Sequence, residues 1–444
     1  MPTLLWFRRD LRCHDHPALL EAAQPDGEVL ACYVLDPRLE ASAGARRMRY
    51  LYQALRALSE SLDERLLVTR GRPEERIPAL ARAISATSVH ISQDYSPFGR
   101  RRDDTVQAAL GETELCATGS GYLVSPGRIT KSDGAPYRVF TPFYRAWRGH
   151  GWRAPANSGP DSARWIDPEG MAEKVSARVE IPSTTEALIF DAGEQAARTH
   201  WREFVEQGLA DYPARRDRPD LDATSVMSAH LKFGTIHPRT MAGDLHSGDD
   251  AYLRELAFRD FYAAVLHHWP HSAWQNWNRD FDAIEVDDGE QARQAFDAWK
   301  AGRTGFPIVD AGMRQLAATG FMHNRVRMIV ASFLVKDLHL PWQWGARWFL
   351  DQLIDGDVAN NQHGWQWAAG CGTDAAPYFR VFNPDLQGAK CDPDGAYIRR
   401  WVPELADAAN VHKLGTDRPA SYPEPIVDHA EERLEALRRF RRLG

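Results

Sequence analysis

The densest run of chemically capable side chains lies between Asp355 and Trp367. It places two carboxylates, side-chain amides such as Asn361 and two tryptophans within one short stretch. A purely apolar core would use leucine and isoleucine without acids or amides beside them. Aromatic rings next to fixed polar groups suit a buried, hydrogen-bonding and electronically active ring system. The stretch therefore predicts a site for such a ring system.

A second group occupies one face of a predicted helix. Glu255, Phe258, Arg259 and Tyr262 are spaced i, i+3, i+4 and i+7, so they share one side of the helix. The pattern alone favours an ordinary half-buried helix, with the aromatic rings inward and a Glu–Arg pair at the surface. A binding face is the other interpretation.

A third group begins a further helix that runs to Asp337. Asn324 and Met328 share a face of this helix, and so do His323 and Arg327. Interleaved cations and apolar residues form either a surface stripe or a surface that holds phosphates beside a base. The residues alone leave both interpretations open.

Hydroxyl groups cluster within Thr224–Ser228, just before a helical segment. Such a cluster, together with the amides of a helix start, can seat a phosphate. A lone cluster of this kind is more often an ordinary N-cap.

Asp355 and Asp357 raise the question of a metal site. No cluster of His, Asp or Glu stands at ligand spacing around them, so the sequence does not support one. An ion pair between Asp355 and Arg327 is the simpler expectation.

The first part of the chain has the pattern of a parallel α/β sheet. Short apolar runs at 4–7, 29–35, 66–69 and 89–92 alternate with helical segments at 17–23, 46–62, 74–84 and 100–110. That alternation predicts a sheet with both faces covered by helices. No Gly-x-Gly-x-x-Gly follows the first strand; Arg8-Arg9-Asp10 stands instead at the end where open sheets bind ligands.

The pattern changes twice further along the chain. Residues 131–193 are rich in Pro, Gly and Ser with little periodicity, which predicts a long connector across the surface of the first domain. From Glu194 onward helical periodicity dominates. The sequence thus predicts a Rossmann-like α/β domain (1–130), an interdomain linker (131–193) and an all-helical C-terminal domain (194–444).

Composition bounds the partners and the compartment. The 444 residues carry a net charge of -7, so contact with nucleic acid would need a local basic patch. Five cysteines without a Cys-x-x-Cys pair argue for a reducing compartment and against a disulfide scaffold or zinc site. We find no signal peptide and no apolar run near the ~20 residues of a spanning helix, which predicts a cytoplasmic protein without a membrane partner.

Together these segments resemble the photolyase/cryptochrome family, and in particular its class I cyclobutane pyrimidine dimer photolyases. The resemblance covers nearly the whole chain. Its anchors are Leu5–Arg12, Thr224–Ser228, Glu255–Tyr262, Gly305–Met313, His323–Met328, Asp355–Trp367, Asp374–Arg380 and Asn383-Pro384. Their order and spacing together are far more specific than any one of them.

The resemblance implies FAD bound inside the helical domain and active as the anionic hydroquinone. Asn361 stands at the position that faces flavin N5, where a neutral amide tolerates an anionic ring better than a carboxylate would. The cofactor-binding residues implied by position are Tyr212, Thr224, Ser225, Val226, Met227, Ser228, Arg259, Arg327, Asp355, Asp357 and Asn361.

The resemblance also implies double-stranded DNA as the partner of a monomeric enzyme. A thymine dimer would be flipped out of the duplex, as base-flipping enzymes do, and split by a light-driven electron from the flavin. Glu255 and Asn324 would hold its bases. The implied substrate-binding residues are Glu255, Phe258, Tyr262, Asn324, Arg325, Met328, Trp367 and Gln387. Phe258 replaces a tryptophan that is common in the family, so stacking on the dimer is expected to be weaker or differently placed.

A chain of tryptophans that reduces the flavin is implied as well. Trp365 would be its proximal member and Trp342 its middle member. The third position aligns near Val286, which cannot be oxidised. We hypothesise that Trp344 or Trp348 ends the chain, or that photoreduction is slow.

A second, light-harvesting chromophore is expected in the α/β domain. Asp94–Asp103 resembles members that bind 8-hydroxy-5-deazaflavin more than members that bind a folate. Asp36, Arg47 and Asp103 are its candidate contacts, because they follow strands or stand near a helix start.

Three other functions compete with dimer repair. A (6-4) photolyase would need histidines at the positions of Asn324 and Met328. A cryptochrome receptor shares the fold and the flavin, but plant-type receptors carry Asp at the position of Asn361 and many receptors add a long C-terminal tail. This sequence has neither feature, which favours repair. A flavin oxidoreductase outside the family would turn over its substrate in the dark.

Overall fold

The computed structural model describes residues 1–24, 27–169, 178–183, 188–374 and 379–443. The chain forms two compact units: unit 1 is Met1–Leu209 with Ser225–Pro270, and unit 2 is Ala210–Thr224 with His271–Gly444. Packing defines these units, whereas a change of sequence pattern defined the boundaries at 130 and 193, which stay a prediction. Parts of the expected linker (170–177 and 184–187) and of one anchor segment (375–378) lie outside the described residues.

Unit 1 contains a parallel sheet. Its strands are β1 (Thr3–Phe7), β2 (Glu28–Leu35), β3 (Leu66–Arg70), β4 (Ser88–Gln93), β5 (Glu114–Ser120) and β6 (Arg164–Trp165). They lie in the order β3-β2-β1-β4-β5, with β6 paired to the start of β2, and all these pairings are parallel. The direction of winding reverses between β1 and β4, the place where open sheets of this kind bind ligands.

Helices make up most of the remaining regular structure. In chain order they are α1 (Pro17–Ala22), α2 (Pro37–Glu40), α3 (Ala45–Ser61), α4 (Pro73–Ala83), α5 (Pro97–Leu110), α6 (Phe140–His150), α7 (Glu194–Gln207), α8 (Tyr212–Arg215), α9 (Ser228–Phe233), α10 (Pro238–Gly243), α11 (Asp250–His268), α12 (Glu290–Lys300), α13 (Pro307–Thr319), α14 (Asn324–Lys336), α15 (Trp342–Gln352), α16 (Val358–Ala369), α17 (Pro384–Cys391), α18 (Ala396–Trp401) and α19 (His429–Arg441). Unit 1 holds α1–α7 and α9–α11, and unit 2 holds the others.

The sheet forms where the sequence predicts it. Leu4, Leu5 and Phe7 of β1 are 0% exposed, because helices cover both faces of a parallel sheet and leave no polar side. The four predicted strands and the helices between them are confirmed within a few residues at each end.

The strand β5 and the helix α6 are among the elements of unit 1 that the sequence patterns do not predict. Only the last residue of β5 is buried, so its apolar signal is weak. The helix α6 lies within 131–193, where we expected little periodicity, and that expectation is wrong for its 11 residues. Phe140, Phe143, Tyr144 and Trp147 form its buried stripe at helical spacing.

Unit 2 is helical, and its described residues contain no strand. Its core includes Trp299, Phe333, Phe349 and Trp365, which come from four different helices. The helix α14 packs against α13 and α16, and α15 packs against α16. The prediction of a sheet-containing part followed by a helical part is confirmed. No helix in the described part of the chain is both long enough and apolar enough to cross a membrane.

Candidate functional site

The helix face predicted in unit 1 lies on α11. Glu255, Phe258, Arg259 and Tyr262 are all half-buried. Ala257, on the opposite side of the helix, is fully buried. The shared face is confirmed, and its role in binding stays a prediction.

Two side chains of this face are fixed by contacts within unit 1. The ring of Phe258 stacks on Phe140 with centroids 3.5 Å apart and planes 7° apart. Arg259 donates from Nη1 to the carbonyl of Gly121 at 2.6 Å and from Nη2 to the carbonyl of Leu231 at 3.1 Å. The face is therefore preorganised by its own unit.

The hydroxyl segment before α9 does not act as a simple cap. The N-cap of α9 is Met227, which makes no side-chain cap bond, so the N-cap interpretation is wrong. The Ser225 hydroxyl lies 2.7 Å from the hydroxyl of Tyr252 on α11. Val226 has φ 49°, a left-handed conformation that costs a β-branched residue about 1–3 kcal/mol. Ser228 is exposed as the first residue of α9, and the phosphate-binding role of this segment stays a prediction.

Two more residues of the predicted cofactor set belong to unit 2. Tyr212 is buried at the start of α8, with the Arg216 guanidinium 5.3 Å from its ring centroid. Thr224 is half-buried.

The ion pair predicted between Arg327 and Asp355 is confirmed. Nη1 and Nη2 of Arg327 lie 3.3 and 2.8 Å from the two carboxylate oxygens, and Nε donates to the carbonyl of Met322 at 2.7 Å. The Asp355 side chain is only 5% exposed. Three bonds fix the orientation of the pair, while each carboxylate oxygen keeps a lone pair for another donor.

The first turn of α16 holds the other predicted acid and amide. Asp357 is the N-cap and accepts from the amide N–H of Asn360 at 3.1 Å and from its side-chain Nδ2 at 2.9 Å. Asn361 donates from Nδ2 to the carbonyl of Ala346 at 3.0 Å and to Oε1 of Gln362 at 2.6 Å. Its Oδ1 accepts no hydrogen bond from any residue that the structure describes. The amide therefore presents a neutral acceptor.

Three polar side chains tie α16 to the segment at 272–273. Gln362 donates to the carbonyl of Ala273 at 2.8 Å, and Gln366 donates to the carbonyl of Ser272 at 2.7 Å. His363 Nε2 lies 2.9 Å from the Ser272 hydroxyl, and burial lowers the pKa of His363 to about 4, so the ring is neutral near pH 7. Sequence reasoning missed this anchor, and polar residues on an otherwise aromatic helix are the signal that could have found it.

The two tryptophans assigned to electron transfer lie in unit 2. Trp365 is 2% exposed, its ring centroid lies 5.0 Å from that of Phe349, and its Nε1 has no partner among the described residues. A Cβ on Gly345 would stand 2.1 Å from its ring, so glycine is required for this packing. Trp342 is 5% exposed and donates from Nε1 to Oδ1 of Asn276 at 2.9 Å.

The remaining predicted substrate residues lie near the surface of unit 2. Asn324 is exposed as the first residue of α14, and Met328 is half-buried one turn later. Arg325 pairs with Asp217 at 2.7 Å, and its Nη1 lies 3.8 Å from the sulfur of Met328. Trp367 and Gln387 are half-buried. No hydrogen bond between described side chains links these two to Asn324.

Two of the three antenna candidates, Asp36 and Asp103, pair with arginines that lie over one ring in unit 1. Arg38 donates to Asp36 at 2.7 Å, and its guanidinium lies 5.5 Å from the ring centroid of Phe98. Arg102 pairs with Asp103 at 2.8 Å and lies 5.9 Å from the same ring. Two arginines, each held by an acid, thus contact Phe98.

The third antenna candidate, Arg47, donates to the carbonyl of Ser42 at 2.9 Å. At the ends of β1 and β4, where the winding reverses, Arg8 and Asp94 help to line a cavity of about 30 Å³. No group of three or more His, Cys, Asp or Glu within the described ranges could hold a metal ion.

Comparisons with known proteins match both parts of the chain. The family described as DNA photolyase matches residues 3–161, and the FAD binding domain of DNA photolyase matches residues 252–442. A deoxyribodipyrimidine photo-lyase of Agrobacterium fabrum is 38% identical over 98% of this chain and 97% of its own length. The chain therefore belongs to the DNA photolyase family and carries its FAD-binding domain.

Solved structures agree with this membership. A class III photolyase from Agrobacterium tumefaciens superposes with a TM-score of 0.88 at 36% identity, over 100% of this chain and 97% of its own. A photolyase from Sulfolobus tokodaii with two FAD molecules gives 0.87 at 29% identity, over 100% of both chains. A cryptochrome from Synechocystis gives 0.88 at 29% identity, over 99% of both chains. The fold is thus shared by repair enzymes and a cryptochrome.

Proposed function

We propose that the protein repairs DNA by splitting cyclobutane pyrimidine dimers in light, as a class I deoxyribodipyrimidine photo-lyase. It acts as a cytoplasmic monomer on double-stranded DNA. The observation that carries the proposal is the 38% identity to the A. fabrum photo-lyase, which extends over 98% of the chain.

The polar groups of the predicted cofactor set fit FAD. Reduced FAD, when bound, supplies the light-absorbing electron donor. Asp355, fixed by Arg327, offers carboxylate oxygens to N–H groups of the ring, and Oδ1 of Asn361 offers a neutral acceptor that does not repel an anionic ring. The proposed FAD-binding residues are Tyr212, Thr224, Ser225, Val226, Met227, Ser228, Arg259, Arg327, Asp355, Asp357 and Asn361.

The proposed substrate contacts follow from side-chain chemistry. Glu255 accepts hydrogen bonds from the N–H edges of the dimer, and the exposed amide of Asn324 both donates and accepts. Phe258 has one ring face covered by Phe140 at 3.5 Å. Only its other face and its edge can meet a base, which supports stacking that differs from that of the common tryptophan. The other proposed contacts are Tyr262, Arg325, Met328, Trp367 and Gln387.

A third tryptophan joins the candidates for the outer end of the electron-transfer chain. Trp342 and Val286, the aligned third position, line one cavity of about 350 Å³ in unit 2. Trp274 lines the same cavity and is 40% exposed. Trp344 and Trp348 are partly buried against the core. An exposed ring beside Trp342 suits exchange with an external reductant, so we add Trp274 to Trp344 and Trp348.

The second chromophore is proposed in unit 1, with 8-hydroxy-5-deazaflavin as its identity and Asp36, Arg47 and Asp103 as its contacts. The pairing of Asp36 and Asp103 with arginines around Phe98 supports a shared role for these two acids. The S. tokodaii photolyase with two FAD molecules indicates a flavin as the alternative. An absorption spectrum of the purified protein distinguishes deazaflavin, folate and a second flavin.

The test is a photoreversal assay. Reduced protein is mixed with a duplex that contains one thymine dimer, under blue light and in the dark. We expect reversal only in the light. Bound flavin without reversal would favour the receptor function that the Synechocystis cryptochrome suggests, and turnover of a small substrate in the dark would favour an oxidoreductase.

A further inference from the structure

The cavity of about 350 Å³ in unit 2 contacts two indole rings. Trp274, which is 40% exposed, and Trp342, which is 5% exposed, both line it. All of its lining residues belong to unit 2. A cavity of about 150 Å³ is enough to hold benzene, so this cavity has room for a substituted six-membered ring. Its size is therefore that of a site for a small, single-ring ligand.

One part of the cavity lining is apolar. It consists of side chains that include Phe281, Ile284, Val335 and Leu340. Apolar walls with a few polar groups are typical of sites for small molecules. A flat ring gains burial against such a wall and can also stack on an indole. The lining therefore favours an aromatic ring over a strongly hydrated molecule.

Both indoles are held in place by other residues of unit 2. Trp342 donates from Nε1 to Oδ1 of Asn276 at 2.9 Å, and Asn276 donates from Nδ2 to Oδ1 of Asp282 at 2.8 Å. The guanidinium of Arg347 lies 5.1 Å from the ring centroid of Trp274. The cavity is therefore preorganised, and a ligand does not have to order these two rings.

The charges of the arginines and acids that line the cavity cancel. These residues are Arg279, Arg439, Asp282 and Glu285. Arg279 pairs with Asp282 at 2.6 Å, and Arg439 pairs with Asp287 at 2.9 Å. The carboxylate oxygens of Asp282 keep lone pairs for a hydroxyl donor. The lining therefore suits a neutral ring that carries hydroxyl groups, and it offers an anion no net attraction.

We propose that this cavity binds a quinol, a neutral aromatic ring with two hydroxyl groups, and that the bound quinol reduces the indole that light oxidises. The inference rests on the proposed function, in which Trp342 passes an electron inward. It deepens that function by giving the external reductant a site and a chemical class.

The proposed step transfers one electron and releases one proton. The electron passes from the quinol to the oxidised Trp342 or Trp274, which restores the indole. One hydroxyl proton of the quinol passes to water or to the carboxylate of Asp282. The quinol leaves as a neutral radical, and two such radicals disproportionate to one quinol and one quinone.

Val286 gives this cavity its place beside the electron-transfer chain. Val286 is 42% exposed and lines the same cavity as Trp342. The third position of the expected tryptophan chain aligns near it, and valine cannot be oxidised. A quinol in the cavity supplies the electron that a ring at this position would otherwise relay.

The experiment measures binding and photoreduction separately in the full-length flavoprotein. Saturation-transfer NMR in the dark gives Kd for benzene-1,4-diol, and flavin absorbance under constant light gives the photoreduction rate at the same concentrations. The test variant is Val286→Phe, which adds bulk at the cavity and a ring that is hard to oxidise. Ile426→Phe is the matched control, because Ile426 is 38% exposed in the same unit and lies outside the cavity lining. Ascorbate, an anionic reductant, is compared with the quinol in each protein.

We expect the photoreduction rate to saturate with benzene-1,4-diol at the Kd measured in the dark, which is on the order of 1 mM for so small a ligand. Val286→Phe should raise both values by about 10-fold or more, because its ring occupies the cavity. Ile426→Phe should leave both values close to those of the unsubstituted protein. With ascorbate the rate should rise linearly in all three proteins, because the lining offers an anion no net attraction.

Three outcomes would overturn the inference. Benzene-1,4-diol shows no binding in the dark, the rate rises with the quinol as linearly as it does with ascorbate, or Val286→Phe leaves both values unchanged. The first two need no variant, so they hold even if Val286→Phe fails to fold.

The inference and the proposed function fail separately. Each of the three outcomes leaves the proposed function standing if the unsubstituted protein reverses dimers in light. A saturable quinol site in a protein that reverses no dimers would support the inference and contradict the proposed function.

Discussion

Gly345→Ala is expected to destabilise unit 2, although alanine is normally the better helix residue. Gly345 lies in the interior of α15, and a Cβ there would stand 2.1, 2.6 and 2.7 Å from Cη2, Cζ3 and Cζ2 of Trp365. Carbon atoms that touch normally stay about 3.5–4.0 Å apart. The buried indole or the α15 backbone would therefore have to move by more than about 1 Å.

Two opposing effects set the change in the free energy of unfolding that Gly345→Ala causes. Overpacking of a well-filled core costs about 1–3 kcal/mol, and replacing glycine with alanine inside a helix returns about 1 kcal/mol. Because three ring atoms come closer than 3.0 Å, we expect a net loss of about 1–2 kcal/mol. The clashing atoms all belong to the six-membered ring of the indole. In a protein that already carries Trp365→Phe, these atoms are absent. Gly345→Ala should then stabilise unit 2, by up to about 1 kcal/mol.

Native-state hydrogen exchange of the amides in α15 and α16 measures this effect. It reports local opening free energies and does not require the two units to unfold in one step. Gly364→Ala is the matched control, because Gly364 is exposed on α16 with no atom within 4 Å of an added Cβ. A similar cost in both backgrounds, or no cost in the native one, would refute the steric reasoning.

Four further predictions concern the site and the fold. Glu255→Ala should keep bound FAD but repair dimers poorly, because Glu255 is proposed to hydrogen-bond the bases of the dimer. Loss of flavin absorbance would show that this assignment is wrong. Asn361→Asp should weaken the reduced anionic flavin, because a carboxylate there repels an anionic ring and faces the carbonyl of Ala346; an unaltered midpoint potential in spectroelectrochemistry would count against the N5 contact. Burial raises the pKa of Asp260 to about 6, above an unfolded value of ~3.9, so its contribution to stability is complete below about pH 4 and is lost as pH rises to about 6. Asp260→Asn should flatten that part of the Tm profile, and identical profiles would contradict the assignment. In transient absorption, Trp274→Phe should lower the yield of flavin photoreduction more than Trp344→Phe or Trp348→Phe; unchanged yields in all three would reject these residues.

The parts of the fold that the sequence predicts depend on local pattern. Strands that are covered on both faces have continuous apolar sequences, so β1 to β4 can be predicted from the sequence. The helix α6 is concealed because Pro, Gly and charged residues surround its four buried aromatics. The edge strand β5 is half exposed and lacks a clear alternation.

The candidate site likewise contains some contacts that the sequence predicts and others that it does not. The pairing of Arg327 with Asp355, 28 positions apart, is predictable because a nearly buried carboxylate needs a charge partner. The fit of Gly345 to Trp365 is not, since it depends on which residues of two packed helices face each other. Likewise, the anchor made by Gln362 and Gln366 requires backbone carbonyls whose positions only the folded chain defines.

Most arginines of the predicted site form hydrogen bonds or ion pairs within their own units. Arg259 is held by two backbone carbonyls, and Arg327 is held by Asp355. Arg325 pairs with an acid, although that acid is 57% exposed and the pair can exchange for a phosphate. Arg259 and Arg327 therefore position groups, whereas Arg325 can still contact a phosphate. If the protein binds DNA as proposed, cations outside this set must also attract the phosphates, because the chain carries a net charge of -7.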